Sequence, residues 1–441
     1  MMRISFVLLT FLGAAAYIAP LQADEKKAPS VPANEKKAPP IPEGPQLKIS
    51  GQTSFDSWFF NNQQKTQSTG LLGGASTVPP GVNNPSKVDT YGKGQLFTMD
   101  SSRLRFTVDT KMDCGTSYGL VFVLDGNVSA GKTVREDYIF GEGHWGKVFA
   151  GDTYGVQSTM AFGGYDQWGG TEFVDGDMSR AVNYTTGALV SPDLVGDTGR
   201  ATKLTYQTPR WKGLQVGVSY TPRTEHKGEQ NISSTTSLDS TKKPFNTDNI
   251  SSGINFIHKF CNGLETALSA TSVFGQAHPE YVSMPPRKNV ASFALGSTFS
   301  YADIGVSAEY GNNGKSLEFK GQNISNAGQF LDFGLGYTWK ATKFSAGYYY
   351  GWRNALGGGV TSGYTRAKSK TNAVSAAVDH KLVPGMIVYF EYANFQMKNP
   401  AATDEANRLN SLFNSTSGGQ YTGPVPSNRA NAFVVGSRLV F

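Results

Sequence analysis

Leu331-Asp332-Phe333-Gly334-Leu335-Gly336-Tyr337-Thr338-Trp339 alternates without a break. Every odd position is large and apolar or aromatic, and every even one is Asp, Gly or Thr. A period of two puts the two sets on opposite faces of a β-strand, one face apolar and the other small or polar. The next segment repeats the pattern. Phe344, Ala346, Tyr348, Tyr350 and Trp352 share one side, and Ser345, Gly347, Tyr349 and Gly351 share the other.

The same grammar runs from Leu47 to the end and gives about sixteen strands, starting near Leu47, Ser102, Tyr118, Thr133, Gly146, Arg200, Leu214, Ser252, Leu264, Ala291, Ile304, Phe330, Thr342, Asn372, Met386 and Arg429. Short connections fall at Asp113–Ser117, Glu142–Trp145, Pro209–Gly213, Cys261–Gly263, Tyr301–Asp303, Lys340–Ala341 and Val383–Gly385. They alternate with 61–101, 129–132, 154–199, 221–251, 275–290, 311–329, 353–371 and 398–428, of which only 129–132 is not long. In an up-and-down barrel this places every short turn at one end and every long loop at the other, the asymmetry of outer-membrane barrels. A soluble β-sandwich does not alternate connections so regularly, and no 40–50-residue blade repeat suggests a propeller.

Composition agrees. The 441 residues include 51 Gly, 27 Phe and 20 Tyr, with 39% hydrophobic and 17% charged residues. After the N-terminus no apolar run exceeds about 15 residues, short of the roughly 20 a helical span needs. The expected fold class is all-β: a transmembrane antiparallel up-and-down barrel over residues 47–441.

Residues 1–23 read as a secretory signal: Arg3, an apolar stretch from Ile4 to Ile18, and Leu21-Gln22-Ala23 ahead of Asp24. Residues 24–46 are a Pro/Lys-rich periplasmic linker. Glu25-Lys26-Lys27-Ala28-Pro29 recurs as Glu35-Lys36-Lys37-Ala38-Pro39, a composition that favours an extended tether. Its lysines suggest contact with peptidoglycan. Formal net charge is +6. Arg3 carries one unit and the linker's four Lys balance Asp24 and three Glu, which leaves +5 on residues 47–441. That is too dilute for a nucleic-acid partner.

Three motifs carry a family resemblance. The chain stops on Phe441 at the end of Phe433-Val434-Val435-Gly436-Ser437-Arg438-Leu439-Val440-Phe441, with Phe433, Val435, Leu439 and Phe441 on one face. Ser102-Arg103-Leu104-Arg105-Phe106 opens a strand. Arg135-Glu136-Asp137-Tyr138-Ile139-Phe140-Gly141 precedes Trp145-Gly146-Lys147-Val148-Phe149-Ala150-Gly151. Together they resemble the Gram-negative general porins, sixteen-stranded trimers of the bacterial outer membrane. The resemblance implies a homotrimer in outer-membrane lipid. It implies that Phe441 is the signal read by the assembly machinery, and that the third outer loop folds inward to narrow the lumen. That family often has a base after the glycine ending the fifth strand; here Asp152 follows Gly151.

Parity assigns the pore wall. Leu104, Phe106 and Val108 are expected outward, so Arg103, Arg105, Thr107 and Asp109 point in. Tyr138 and Phe140 are expected outward, with Arg135 and Asp137 inward and Glu136 unplaced. Leu204 and Tyr206 outward leave Lys203 inward. A charge facing lipid at midplane would cost about 2–4 kcal/mol, which favours these inward positions. Opposite the wall bases, loop 154–199 carries Asp166, Glu172, Asp175, Asp177, Asp193 and Asp197 against Arg180. Arg103, Arg105, Arg135 and Lys203 on the wall and Asp166, Glu172, Asp175 and Asp177 on the loop are the expected constriction. The loop's excess of acids predicts mild cation selectivity.

Nothing in the sequence calls for catalysis, a metal or a cofactor. The five histidines are scattered, and there is no G-x-S-x-G or phosphate-loop motif. The expected function is a water-filled channel for passive diffusion of small hydrophilic solutes and ions. The alternative is a structural or adhesive surface protein whose long loops bind other molecules. Cys114 and Cys261 lie in separate short turns and are not expected to pair.

Overall fold

The hydrogen-bond ladder returns on itself. The computed structural model describes residues 44–65, 93–112, 115–126, 134–176, 181–182, 189–224, 246–278, 286–318, 320, 326–354, 368–398 and 427–441. The expected signal and most of the linker, together with Asp177, Arg180 and Cys114, lie outside them.

Among the described residues sixteen strands form one closed antiparallel barrel. They are β1 Gln46–Lys65, β2 Lys93–Lys111, β3 Ser117–Asp125, β4 Val134–Gly143, β5 Gly146–Asp152, β6 Thr202–Gln207, β7 Leu214–Arg223 and β8 Asn246–Lys259. β9 Glu265–Ala277, β10 Val290–Tyr301, β11 Ile304–Asn312, β12 Gln329–Trp339, β13 Thr342–Asn354, β14 Lys368–Val383, β15 Met386–Lys398 and β16 Ser427–Val440 complete it. Each strand pairs with its sequence neighbours, and β1 pairs with β16 to close the seam. Connections after even-numbered strands are short and those after odd-numbered strands are longer, as the sequence predicts.

The outer face is an apolar band. Leu204, Tyr206, Phe333, Leu335, Tyr337, Trp339 and Phe344 are exposed on it, while Asp332 on the opposite parity is buried. Water-free lipid satisfies no backbone group, so a sheet can span it only as a closed ladder such as this one.

Three bulges correct the sequence reading. In β2, Ser101 has φ 50° and the register shifts between Gln52 and Ser54 of β1. Thr53 therefore faces two residues and hydrogen-bonds Ser102 (2.8 Å). The extra residue resets parity: Phe97 and Met99 are exposed before the bulge, whereas Arg103 faces in after it. β2 therefore begins at Lys93, not near Ser102 as the alternation alone predicts. Asp248, with φ 50°, does the same in β8, which begins at Asn246 rather than near Ser252. In β4 the register against β3 shifts beside Arg135. From there Glu136, Tyr138 and Phe140 face inward, and Asp137 and Ile139 face outward. The expected outward Tyr138 and Phe140 and inward Asp137 are therefore reversed. Tyr138 and Phe140 instead pack inside with Val121, Val123 and Phe149.

Candidate functional site

The segment between β5 and β6 turns into the barrel and follows the inner wall strand by strand. It contains a one-turn helix α1 (Val156–Thr159) and 3-10 turns at Gly164–Asp166 and Phe173–Asp175. Val156 N–H donates to Ser219 of β7 (2.9 Å) and Asn255 of β8 donates to the Met160 carbonyl (3.4 Å). Phe162 N–H donates to Ser269 of β9 (2.9 Å) and Thr298 of β10 donates to Asp166 (2.6 Å). Ser307 of β11 donates to the Gly164 carbonyl (3.2 Å), and Gly164 N–H donates to Asp332 of β12 (2.5 Å). Gly170 N–H reaches Asp379 of β14 (3.0 Å), and Thr171 N–H reaches Glu391 of β15 (2.7 Å). Arg438 of β16 donates to the Gly170 carbonyl (2.7 Å), and Asn62 of β1 donates to the Ala181 carbonyl (2.9 Å). The returning limb is held by Tyr349 of β13 on the Ser191 carbonyl (2.9 Å) and Ser292 of β10 on the Val195 carbonyl (2.8 Å).

Two features of the wall make this belt possible. The first is missing side chains. A Cβ at Gly334 would overlap the Gly164 carbonyl, and one at Gly296 would overlap the Phe162 carbonyl. The small inward residues of the alternating strands are therefore seats for the loop backbone. The second is apolar surface inside the barrel. Inward-facing Trp58, Phe330, Tyr349, Tyr389 and Phe395 form one core with Trp168, Phe173, Val174 and Leu194 of the loop. The Phe173 ring lies 5.2 Å from that of Trp168 and 5.7 Å from that of Phe395. Full burial of each such side chain contributes about 1.5–3 kcal/mol, which fastens the loop more firmly than its hydrogen bonds alone.

The belt runs from β7 round to β1. The arc of β2–β4 left beside it carries Arg103, Arg105 and Arg135. Arg135 pairs with Asp125 at 2.9 Å, and Arg105 donates to the Tyr138 hydroxyl (2.9 Å). Arg103 lies in electrostatic reach of Arg135, Asp125, Tyr154 and Glu172. Lys203 is inward, as expected, but its ammonium is enclosed. It donates to the carbonyls of Thr153, Gly199 (2.8 Å) and Ala201 (2.6 Å), tying the two feet of the loop together.

The loop acids separate. Glu172 is half-buried and within reach of Arg103 and of Arg438. Asp166 turns to the wall, where Thr298 and the Gly163 N–H (3.2 Å) bond its carboxylate. Burial pushes the Asp166 carboxyl up to about 6, against those two hydrogen bonds and the nearby Lys343 ammonium. Asp175 is buried behind the loop, lining a cavity of about 50 Å³ with Asp193, Asp197, Tyr165 and Glu309. Asp152 follows the outward parity, where Thr202 bonds it (2.5 Å). Sequence reasoning did not single out the wall acids Glu309, Asp379 and Glu391. Their signal is an acid at an inward position between outward apolar residues, as in Phe390-Glu391-Tyr392. Among the described residues no group of three His, Cys, Asp or Glu side chains is placed to hold a metal ion.

A closed sixteen-stranded barrel with an apolar outer band and a loop packed into its lumen is the architecture of a bacterial outer-membrane channel. The chain belongs to the Gram-negative porin family, whose sequence profile matches residues 60–400, and its place is the outer membrane. An uncharacterized protein of Rickettsia typhi is 27% identical over 322 residues, 59% of this chain and 69% of that protein. The anion-selective porin from Comamonas acidovorans superposes with a TM-score of 0.52 at 14% identity, covering 90% of this chain and 100% of its own. In-vitro folded OmpT of Vibrio cholerae, in its trimer form, gives 0.52 at 13% identity over the same shares. At these identities the likeness is one of fold.

Proposed function

We propose that small hydrophilic solutes and ions cross passively along the β2–β4 arc, between Glu172 of the inner loop and Arg103, Arg105 and Arg135 of the wall. The observation that carries this reading is the path of the loop, which covers the wall from β7 to β1 and leaves those arginines beside it. The cation preference expected from the loop loses two of its carriers, because Asp166 and Asp175 are turned to the wall. Arg103, Arg105 and Arg135 stand against Asp125, Glu136 and Glu172, so the passage is only weakly selective. Lys203 shapes the loop's base rather than the field.

The chain assembles as a homotrimer in outer-membrane lipid, by analogy with the trimeric neighbour. Residues 1–23 direct export, residues 24–46 tether the barrel toward peptidoglycan, and Phe441 addresses the assembly machinery. Reconstitution in a planar bilayer tests the reading: a channel gives stepwise current, whereas a sealed adhesive protein gives none.

A further inference from the structure

Among the described residues the lumen holds two apolar clusters. One includes Phe173 and its neighbours on the inner loop. The other lies on the arc that the loop leaves open. It joins Val121 and Val123 of β3, Tyr138 and Phe140 of β4 and Phe149 of β5, with no loop residue among its described members. Register builds it: Val121 is opposite Tyr138, and Phe140 is opposite Phe149, so their side chains share the inner face. Val121, Val123 and Tyr138 are buried, and the two phenylalanines packed against them are half-buried. The Tyr138 and Phe149 rings meet edge-on with centroids 5.8 Å apart. Apolar surface facing water is unfavourable, and the loop relieves that only at the first cluster.

Arg105 stands at one edge of the open cluster. It is the register partner of Val123, and its guanidinium donates to the Tyr138 hydroxyl (2.9 Å). That partner is neutral. The inward acids of the arc are engaged elsewhere. Asp109 pairs with Lys48 (3.1 Å), Asp125 with Arg135 (2.9 Å) and Glu142 with Lys147 (3.1 Å), while Glu136 accepts from Thr153 (3.4 Å). A guanidinium offers five donors in a planar fork that matches a carboxylate. At the opposite edge the Lys147 ammonium lies 4.9 Å from the Phe149 ring centre and 5.4 Å from that of Phe140. It occupies ring faces that would otherwise attract a cationic solute.

We propose that this face is a binding site for aromatic monocarboxylates, which the passage therefore takes up in preference to other small solutes. The carboxylate pairs with Arg105, and the ring lies against Phe140 and Phe149. An apolar bed with one placed charge is the usual composition of a small-molecule site. The wall thus selects for a body and a charge together, whereas the weak field of the arginines and acids selects for neither.

This inference rests on the passage proposed above, and the experiment separates the two. Single-channel current of the full chain is recorded in a planar bilayer with sodium benzoate, sodium acetate or benzyl alcohol added. Benzoate should interrupt the current in brief blockades whose frequency rises with concentration. Acetate, which lacks the ring, and benzyl alcohol, which lacks the charge, should not. Arg105→Gln should raise the benzoate concentration for half-block by about tenfold or more, the scale of a lost charge-assisted hydrogen bond. Phe149→Leu, which keeps an apolar side chain, should raise it by about two- to tenfold, the scale of a lost aromatic contact. Current that benzoate leaves uninterrupted overturns the inference alone, as does equal block by acetate or by benzyl alcohol. Benzoate block unchanged in both variants places the ligand elsewhere and overturns it too. Absence of current from the parent would remove the passage itself, and the inference with it.

Discussion

Phe441 and Gly51 exchange backbone hydrogen bonds in both directions, 3.0 Å from the Phe441 N–H and 2.8 Å from the Gly51 N–H. The last residue of the chain thus adds a rung to the β1–β16 seam, and its ring lies where a Gly51 side chain would stand. Phe441 is also exposed outward, beyond Phe433 and Leu439 on the same face. Deleting Phe441, or replacing it with Ser, should lower the amount of folded barrel in the membrane. The conductance of molecules that do insert should be unchanged, because the ring is on the outward face and the inner loop is inside. Quantifying heat-modifiable protein in membranes checks this; normal levels without Phe441 would refute it.

Gly334→Val tests the docking of the inner loop. The new side chain meets the Gly164 carbonyl, and overpacking of this kind costs about 1–3 kcal/mol. The barrel ladder is untouched on its lipid face. The variant should therefore fold with a modestly lower melting temperature and show a larger, noisier single-channel conductance. Parent-like conductance would mean that the loop does not restrict the passage.

Charge at Glu172 should matter more than charge at Asp166. Glu172 faces Arg103 and Arg438, whereas Asp166 is bonded to Thr298. In a salt gradient, Glu172→Gln should shift the reversal potential toward anions and Asp166→Asn should shift it much less. Screening beyond about 10 Å at 0.1 M salt removes more distant contributions. Equal shifts, or a strongly cation-selective parent, would contradict the assignment.

Cys261 is exposed and unpaired in the turn between β8 and β9, and Cys114 falls between β2 and β3. Six strand spacings around the rim span on the order of 30 Å, and a disulfide needs Cα atoms within about 7 Å. Mass spectrometry of the unreduced protein should find no Cys114–Cys261 peptide. Its presence would overturn the strand count.

The strand number and the short-long alternation were legible because lipid on one side imposes a strict period of two. Leu331 to Trp339 shows this without ambiguity. Parity is only a local signal, however, and one extra residue resets it. Ser101, Asp248 and Arg135 each sit at such a bulge, which is why alternation alone starts β2 and β8 too late and turns Tyr138 outward. The arginine arc was readable for the same reason that the strands were. The filled half of the lumen was not. Trp58, Tyr389 and Phe395 face inward onto a loop more than a hundred residues away in one direction and more than two hundred in the other, and no period reports such a contact. Runs that are apolar on both faces, such as Trp58-Phe59-Phe60 and Phe433-Val434-Val435, were the available hint. Every acid on the loop reads as a lumen charge, because sequence does not show which of them the wall binds.

The claim that solutes pass beside the arginines, and not along the covered arc, is tested most directly by thiol block. In a background with Cys114→Ser and Cys261→Ser, Arg105→Cys would place a thiol on the β2 wall. Thr371→Cys would place one on β14 at a fully buried inward position. A bulky charged thiol reagent is added during single-channel recording. The account predicts a stepwise loss of most of the current for Arg105→Cys and none for Thr371→Cys. Block at position 371 with current persisting at position 105 would contradict it.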